Sequence, residues 1–157
     1  MGDVFLKGEK IDLIVLDENI IKNSNWYKWF NDQEITKNMQ KHYFPNTQSM
    51  QLEFFNDSIK NSNNKLQCGI YHKKDNILIG TISLSIIDYI NRNCEISLII
   101  GEKMYHNIDY FIESHHLMII HAFDYLNLHK VFGGTSIKEM DIMFCRVLGY
   151  TSEGIDR

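Results

Sequence analysis

Three strand-like segments that follow one another with little between them constrain the fold of this chain most strongly. They span residues 66–72, 77–87 and 94–100, and each is rich in isoleucine and other strand-forming side chains. Strands joined by connectors this short pair as antiparallel neighbours, because a parallel crossover needs about a dozen residues or more. The sequence therefore predicts an antiparallel meander in the middle of the chain.

After the meander the apolar residues change from a strand period to a helical one. Residues 110–126 place Leu117 and Phe123 on one face of a helix, and residues 130–135 then predict a further strand. A last helix is predicted to end before Gly149, since glycine is common just past a helix C-terminus. A helix between two strands forms a crossover, so the sequence predicts a mixed sheet with helices packed on it.

One strand and two helices are predicted before the meander. Residues 11–15 have the alternation of a strand. An aromatic stripe at helical spacing follows, made by Trp26, Trp29 and Phe30. Asn23 or Ser24 is the predicted cap of this helix, and Thr47 or Ser49 is the predicted cap of the next one.

The size and charge of the chain limit what it binds. Its 157 residues suit a single domain spanning residues 1–157. The net charge is −4, and lysine and arginine are scattered among the acidic residues, so no nucleic-acid partner is predicted. No apolar run approaches the ~20 residues of a membrane helix, and the N-terminus lacks a secretory signal. We therefore expect no membrane partner.

The spacing of cysteine and histidine predicts neither disulfides nor a metal site. Cys68, Cys94 and Cys145 are far apart, odd in number, and form no C-x-x-C pair. The possible metal ligands are His115, His116 and His121 with Glu113, but their spacing is not H-E-x-x-H. His116 and His121 lie five residues apart and so do not share a helix face. The expectations are a reducing cytoplasm and no bound metal.

A series of short motifs follows the predicted elements in order. They are Ile79-Gly80-Thr81-Ile82, Asn91-Arg92-Asn93-Cys94-Glu95-Ile96, Ile100-Gly101-Glu102-Lys103, His121-Ala122-Phe123, Leu126-Asn127-Leu128-His129-Lys130-Val131, Leu148-Gly149-Tyr150 and Glu153-Gly154. In this order they resemble the GNAT superfamily of N-acetyltransferases, and the resemblance covers almost the whole chain. Trp26-Tyr27, Trp29 and Asn31-Asp32 further resemble the subgroup of ribosomal-protein-alanine, spermidine and amino-sugar acetyltransferases. The implied fold is an α/β fold with a central, mostly antiparallel sheet and helices on both faces.

The resemblance implies a donor, an acceptor and a place for the donor. In the family, acetyl-CoA lies in a cleft where two strands splay apart, and backbone groups there bind its acetyl and pantetheine portions. These positions correspond to Leu98, Ile99 and Ile100. The implied acceptor is a small molecule with a primary amine, and an amino sugar on a nucleotide carrier is the favoured candidate.

Three further side chains are candidates for the chemistry, each with an alternative. Glu95 is the expected general base, or else a strand-edge carboxylate paired with Arg92 or Lys103. Cys145 takes the position at which relatives carry a general-acid tyrosine, and the alternative is a thiol that only fills the interior. Lys138 takes the position of a cofactor-contacting asparagine, and the alternative is a lysine on a solvated face.

The pyrophosphate-binding loop departs most from the family pattern. By alignment its cofactor-binding candidates are Tyr105, His106, Asn107, Ile108, Asp109 and Tyr110. Asn107 and Asp109 replace two glycines that let backbone N–H groups approach phosphate. We expect Asp109 to cap the following helix and to place its carboxylate where the anion binds. A catalytically retired binding or regulatory protein is the alternative that these changes leave open.

The C-terminal region departs from the family in a second way. Relatives continue through two more strands that complete the sheet, whereas residues 151–157 supply only the start of this hairpin. An uncovered sheet edge invites pairing with another strand. The expectation is a homodimer formed through the open edge or an exchange of strands, and the alternative is a chain that has been shortened at this end.

Overall fold

The computed structural model describes residues 2–39 and 44–155. Its centre is a six-stranded sheet in which the strands lie in chain order. The strands are β1 (Val4–Lys7), β2 (Ile11–Val15), β3 (Leu66–His72), β4 (Ile77–Asp88), β5 (Asn93–Ile100) and β6 (Lys130–Phe132). Every neighbouring pair is antiparallel except β5 and β6, which are parallel. The predicted meander and the mixed, mostly antiparallel sheet are confirmed.

The helices of the described residues lie before and after the meander. They are α1 (Glu18–Asn23), α2 (Trp26–Trp29), α3 (Gln33–Thr36), α4 (Gln48–Ser58), α5 (Ile108–Ile120) and α6 (Lys138–Val147). A single 3-10 turn precedes α5, and a π-helical turn at His121–Tyr125 continues it, so the helix predicted over residues 110–126 is confirmed. Within residues 2–39 and 44–155, no helix is both long and apolar enough to cross a bilayer.

The N-terminal region differs from the prediction in two respects. β1 is an additional edge strand, which the sequence analysis missed because only one of its four residues is even partly buried. The predicted aromatic helix is the short α2, whose Trp26 and Trp29 are buried in one core with Phe30 packed against it, and α1 and α3 are additional short helices on either side. Asp17 and Asp32 cap α1 and α3 by accepting from backbone N–H groups. Neither predicted cap takes the N-cap position of α2, which is Asn25, although the hydroxyl oxygen of Ser24 accepts from the backbone N–H of Trp26 at 3.4 Å.

Two predicted helix boundaries are confirmed. Thr47 caps α4, and its hydroxyl accepts from the backbone N–H of Met50 at 3.2 Å. α6 ends at Val147, and Gly149 lies beyond it with φ +74°, a left-handed conformation that glycine adopts without strain. Both boundaries depend on contacts within a few residues, which is the range that a sequence pattern records.

The sheet separates two apolar cores. One core lies against α5 and includes Leu13, Ile70, Ile82 and Met118. The other lies against α1, α2 and α4 and includes Ile14, Ile21, Tyr71, Trp26 and Phe55. Leu13 and Ile14 belong to opposite cores because successive side chains of a strand alternate between the two faces. The prediction of helices on both faces of the sheet is confirmed.

β5 and β6 pair over a short distance and then diverge. Their pairing ends at Glu95 and Phe132, whereas β5 continues to Ile100. β6 is shorter than the strand predicted over residues 130–135, because a pair of glycines follows Phe132 and glycine weakens strands. The edge of β5 beyond Glu95 is therefore open on this side and forms one wall of a cleft.

Candidate active site

The main cleft has a volume of about 630 Å3 and lies beside the open edge of β5. Its walls come from β5, from the segment that begins α5 and from α6, and include Leu98, Ile100, His106, Asn107, Ile137, Met140 and Phe144. Lys37 and Met39, which follow α3, also line it. The cleft has the size of a typical small-molecule or cofactor pocket.

The backbone of β5 presents hydrogen-bonding groups to the main cleft. The carbonyl oxygen of Ile100 lies 2.9 Å from His106 Nε2, so it faces away from β4. The N–H and C=O of Leu98 face the same way, because the backbone groups of a strand alternate in direction. The carbonyl of Ile99 faces β4 instead, where a β-carbon on Gly80 would approach it to 2.2 Å. Of the three predicted positions, only Leu98 and Ile100 turn their main chain to the cleft.

The predicted pyrophosphate loop divides into two sets of side chains. The set that lines the main cleft is His106, Asn107 and Ile108. The set that is anchored elsewhere is Tyr105, Asp109 and Tyr110, which bond to residues near the β1–β2 and β3–β4 connections. Only the first set is placed to meet a ligand in the cleft through its side chains.

Asn107 caps α5, in place of the predicted Asp109. The Asn107 side-chain oxygen accepts from the backbone N–H of Asp109 at 2.9 Å. The φ angle of Asn107 is −124°, which is ordinary for any L-amino acid. In the described part of the chain, none of the non-glycine residues with positive φ falls between 104 and 110. The loop therefore has a conformation that does not require the glycines found in relatives.

The expectation that Asp109 places its carboxylate at the anion's position is wrong. Asp109 Oδ2 lies 2.5 Å from Nζ of Lys10, in the connection between β1 and β2. The hydrogen bond to Asp109 raises the pKa of Lys10, so the lysine stays charged and neutralises its partner. Asp109 is also absent from the described lining of the main cleft. Its charge is held outside the cleft because a cation from a distant part of the chain reaches it.

A hydrogen-bonded network fixes both ends of the loop to the sheet. Tyr105 Oη donates to Asp75 Oδ2 at 2.9 Å, and His72 Nδ1 lies 3.1 Å from the same oxygen. His72 Nε2 lies 3.0 Å from Tyr110 Oη, and the imidazole packs against both phenol rings. His72 is buried at the end of β3. The sequence analysis missed this network because its members come from separate parts of the chain.

A second cavity of about 260 Å3 lies on the other face of the sheet, between β4, β5 and the aromatic residues near α2 and α4. Its floor consists of hydroxyl side chains from β4 and β5, namely Thr81, Ser83, Ser85 and Ser97. The hydroxyl oxygens of Ser83 and Ser97 lie 2.9 Å apart. Leu98 and Ile99 line both this second cavity and the main cleft. The two cavities therefore meet at β5.

Residues 23–140 match the acetyltransferase (GNAT) domain. The chain belongs to the GNAT acetyltransferase family. It is therefore an acetyl-CoA-dependent N-acetyltransferase, as the motifs of the sequence indicate.

Solved structures share the fold of this GNAT acetyltransferase. Spermidine N-acetyltransferase from Vibrio cholerae, in complex with CoA and spermine, matches with a TM-score of 0.80 and 19% identity, over 94% of this chain and 84% of that chain. A GNAT-family acetyltransferase from Bacillus anthracis matches with a TM-score of 0.76 and 16% identity, over 96% and 85%. A dodecameric structure of the Vibrio cholerae spermidine enzyme matches with a TM-score of 0.73 and 18% identity, over 94% and 82%. No curated protein sequence matches the chain significantly.

The main cleft of the GNAT acetyltransferase fits an acyl-CoA donor. The outward N–H and C=O of Leu98 suit an extended, amide-containing arm such as pantetheine. The start of α5 adds the positive end of a helix dipole, and Asn107 and Ile108 at that end line the cleft. Because Asp109 is paired outside the cleft, its carboxylate does not oppose a phosphate there.

Glu95 lies in β5 on the same sheet face as the floor of the second cavity, although it is not among the described residues that line that cavity. Its side chain is half-buried. The two cations considered as its partners are engaged elsewhere, since Arg92 donates to the carbonyl of Asn127 at 2.8 Å and Lys103 pairs with Asp32 at 2.8 Å. The alternative of an ion pair with these cations is therefore wrong, and the role of Glu95 in catalysis stays a prediction.

α6 places neither of its predicted site residues in the main cleft. Cys145 is half-buried next to Phe144, and Lys138 is exposed in the first turn; neither is in the described lining of the cleft. Tyr150 lines it instead, and its buried hydroxyl has no hydrogen-bond partner among the described residues. Burial raises the pKa of Tyr150 to about 12, so the phenol stays protonated at neutral pH. The sequence analysis noted Tyr150 only as part of a motif.

His115 adds a neutral imidazole to the wall of the main cleft. Its Nδ1 lies 3.0 Å from the carbonyl oxygen of Phe111, and its ring packs against those of Phe111 and Phe144. Burial lowers the pKa of His115 to about 4. The sequence analysis treated His115 only as a possible metal ligand, and helical spacing alone did not indicate that its side chain faces a cleft.

Proposed function

We propose that this GNAT acetyltransferase acetylates the primary amine of an amino sugar held on a nucleotide carrier. The observation that carries the proposal is the meeting of two cavities at Leu98, one suited to a thioester and one floored by hydroxyl groups. A sugar ring presents hydroxyl groups that pair well with such a floor. A thioester in the main cleft and an amine in the second cavity would both contact β5.

The transfer forms one C–N bond and breaks one C–S bond. A base first removes a proton from the substrate ammonium, and the neutral amine then attacks the acetyl carbonyl carbon. The carbonyl oxygen takes up negative charge, and the outward N–H of Leu98 is the backbone donor that we assign to it. Collapse of the adduct expels the CoA thiolate, which takes up a proton, while the nitrogen loses its second proton. Holding the two reactants together contributes much of the rate.

Glu95 is our candidate for the general base. Its side chain points to the same sheet face as Ser97, because alternate residues of β5 share a face. A water molecule between the carboxylate and the amine would relay the proton. Glu95→Gln should lower kcat with little change in KM for acetyl-CoA, because the base acts on the amine and does not contact the donor. An unchanged kcat would exclude this role.

Tyr150 and Cys145 are the two candidates for the group that protonates the thiolate. Tyr150 is favoured because it lines the main cleft and its phenol stays protonated. Cys145 is the alternative that the family resemblance implies. Lys138, exposed at the start of α6, remains a candidate contact for the phosphates of the cofactor.

The proposed function is tested by following release of the CoA thiol with different amines. The panel consists of a nucleotide-linked amino sugar, free glucosamine, spermidine and a peptide with a free N-terminus. We expect the highest kcat/KM with the nucleotide-linked sugar, because only this acceptor has both hydroxyl groups and a carrier. Thiol release with spermidine alone would contradict the proposed acceptor. No binding of acetyl-CoA by calorimetry would contradict transfer itself.

We also propose that a second copy of the chain pairs along β6. The strand order places β6 at an edge of the sheet, and an exposed edge presents unpaired backbone groups. A closed dimer would pair the two edges around a twofold axis. Light scattering should give twice the monomer mass, and a single monomeric species would contradict this arrangement.

We infer a cytoplasmic location from the cysteines. All three are free, and Cys68 and Cys94 are buried. Burial raises the pKa of Cys68 to about 12 and that of Cys94 to about 11, so neither thiol ionises readily. Free cysteines of this kind are typical of a reducing compartment, and fractionation of cells with a tagged chain would test the location.

A further inference from the structure

One wall of the main cleft carries a buried polar side chain among aromatic rings. His115 is only 3% exposed, and its imidazole packs against the rings of Phe111 and Phe144 at centroid distances of 4.3 and 5.6 Å. Tyr150 also packs against Phe144, and all four residues line the cleft. Burying a polar ring in apolar surroundings costs free energy unless its nitrogens are bonded, so each nitrogen of His115 requires a partner.

The two ring nitrogens of His115 have different surroundings. Nδ1 lies 3.0 Å from the carbonyl oxygen of Phe111, and because a carbonyl oxygen only accepts, Nδ1 carries the proton. Burial lowers the pKa of His115 to about 4, so the ring is neutral at neutral pH and Nε2 is an acceptor. Nε2 has no hydrogen-bond partner among the described residues, and it is not one of the unpaired polar atoms that are closed to solvent. The main cleft therefore has an acceptor in its wall that a ligand can reach.

One of the outward carbonyls of β5 is already occupied. The carbonyl oxygen of Ile100 accepts from Nε2 of His106 at 2.9 Å, whereas the carbonyl of Leu98 is turned to the main cleft. The pantetheine arm of an acyl-CoA has two amide N–H groups, and N–H groups that become buried are usually paired. Leu98 can bond one of them, and Nε2 of His115 is a further acceptor in the same cleft.

We propose that Nε2 of His115 accepts a hydrogen bond from an amide N–H of the pantetheine arm and so positions the acyl donor. The proposal holds for any amine acceptor, because every acceptor meets the same donor. His115 lies seven residues after Ile108, the first residue of α5, which is roughly 10 Å along the helix axis. An extended arm can span this distance from phosphates held at the start of α5, and the aromatic rings beside His115 strengthen the bond by excluding water.

Calorimetry with the whole donor and with one part of it tests the proposal. CoA contains the pantetheine arm, and 3′-phospho-ADP lacks it. His115→Phe keeps an aromatic ring but removes the acceptor, so CoA should bind about tenfold more weakly while 3′-phospho-ADP binds within about twofold of the parent protein. His115→Gln retains a side-chain acceptor and should bind CoA more tightly than His115→Phe does. His116→Phe makes the same change on the exposed face of α5 and should alter neither affinity.

Nitrogen NMR of the unsubstituted protein tests the same hydrogen bond without a change to the core. With isotope-labelled histidine, the resonance of Nε2 of His115 should move toward that of a hydrogen-bonded nitrogen when CoA is added, and should stay in place with 3′-phospho-ADP. No movement with CoA would overturn the proposal, even where a variant fails to fold. Unchanged CoA affinity in His115→Phe would overturn it as well. An equal loss of both ligands would do the same, because it would mean that His115 only maintains the shape of the cleft.

Discussion

Asp109 shows at the scale of one residue how a partner changes the effect of a charge. A carboxylate in the first turn of a helix is favourable to the helix dipole but competes with any anion that binds there. Lys10 forms an ion pair with the Asp109 carboxylate outside the main cleft. The pair both neutralises the negative charge and holds the carboxylate away from the cleft. The loss of the family's loop glycines therefore does not place a negative charge at the phosphate position.

Removal of Lys10 should expose the charge that it neutralises. Lys10→Met is expected to weaken acetyl-CoA binding about two- to fivefold at low salt, because the pair is exposed and such effects are modest. Asp109→Asn should leave binding within about twofold of the parent protein and should restore it in the double variant. Calorimetry with acetyl-CoA measures all four proteins. If Lys10→Met weakens acetyl-CoA binding and the double variant binds equally weakly, Lys10 does not act by neutralising Asp109.

The hydroxyl of Tyr150 should matter for turnover and not for folding. Tyr150→Phe is expected to lower kcat about 100-fold, as for loss of a general acid. Its melting temperature should be unchanged or higher, because the buried hydroxyl has no partner among the described residues. Cys145→Ala is the matched test of the alternative and should change kcat little. The assignment would reverse if Cys145→Ala, and not Tyr150→Phe, abolished thiol release.

The segment before α5 shows, at the scale of elements, how a loop without glycine is held in place. Asn107 caps the helix, while Tyr105 and Tyr110 attach the two ends of the loop to His72 and Asp75 near the β3–β4 turn. The side chains of the intervening His106 and Ile108 remain turned to the main cleft. Order in this loop thus comes from tertiary hydrogen bonds, which reduces the entropy that a bound cofactor must remove.

Breaking this network should weaken donor binding selectively. Asp75→Asn is expected to raise KM for acetyl-CoA about five- to tenfold with a smaller change in kcat, because the loop becomes more mobile but the reacting groups stay in place. Tyr105→Phe should have a similar effect, and the double variant should lose little more, since both residues share one network. Asp57→Asn, on the exposed surface of α4, serves as the control. A fall in kcat as large as the rise in KM would contradict a role in positioning the loop. A lower melting temperature with an unchanged KM for acetyl-CoA would contradict it as well.

For the whole molecule, the buried His115 links stability to pH. Its folded-state pKa of about 4 lies below the ordinary value of 6.5, because burial disfavours the charged form. Between these two values the unfolded chain binds more protons than the folded one, so stability rises with pH through this window. The stabilising contribution is complete above pH 6.5 and is lost as the pH falls toward 4.

His115→Gln should flatten this part of the stability profile. The parent protein is expected to lose up to about 3 kcal/mol more than the variant between pH 6.5 and 4, which follows from the size of the pKa shift. Urea unfolding at several pH values measures the difference. Parallel profiles for the two proteins would show that His115 has the same pKa in the folded and unfolded states, which would contradict the effect of burial.

Local interactions allowed part of this protein to be predicted from its sequence. The meander follows from short connectors, the start of α4 from Thr47, and the end of α6 from Gly149, all of which involve residues close in the chain. The order of the motifs also indicated the GNAT family, which the domain match confirms. The short helices α1 and α3 were missed because they have only six and four residues and each buries a single side chain.

The sequence by itself determined the antiparallel meander, the crossover and the family, because each depends on periodicity, turns or motifs within a short stretch of chain. Only the tertiary structure decided which side chains face a ligand. Lys10 and Asp109 are almost a hundred positions apart, and Tyr150 enters the main cleft through the packing of α6. Such contacts depend on how distant elements pack, and packing leaves no local pattern in the sequence.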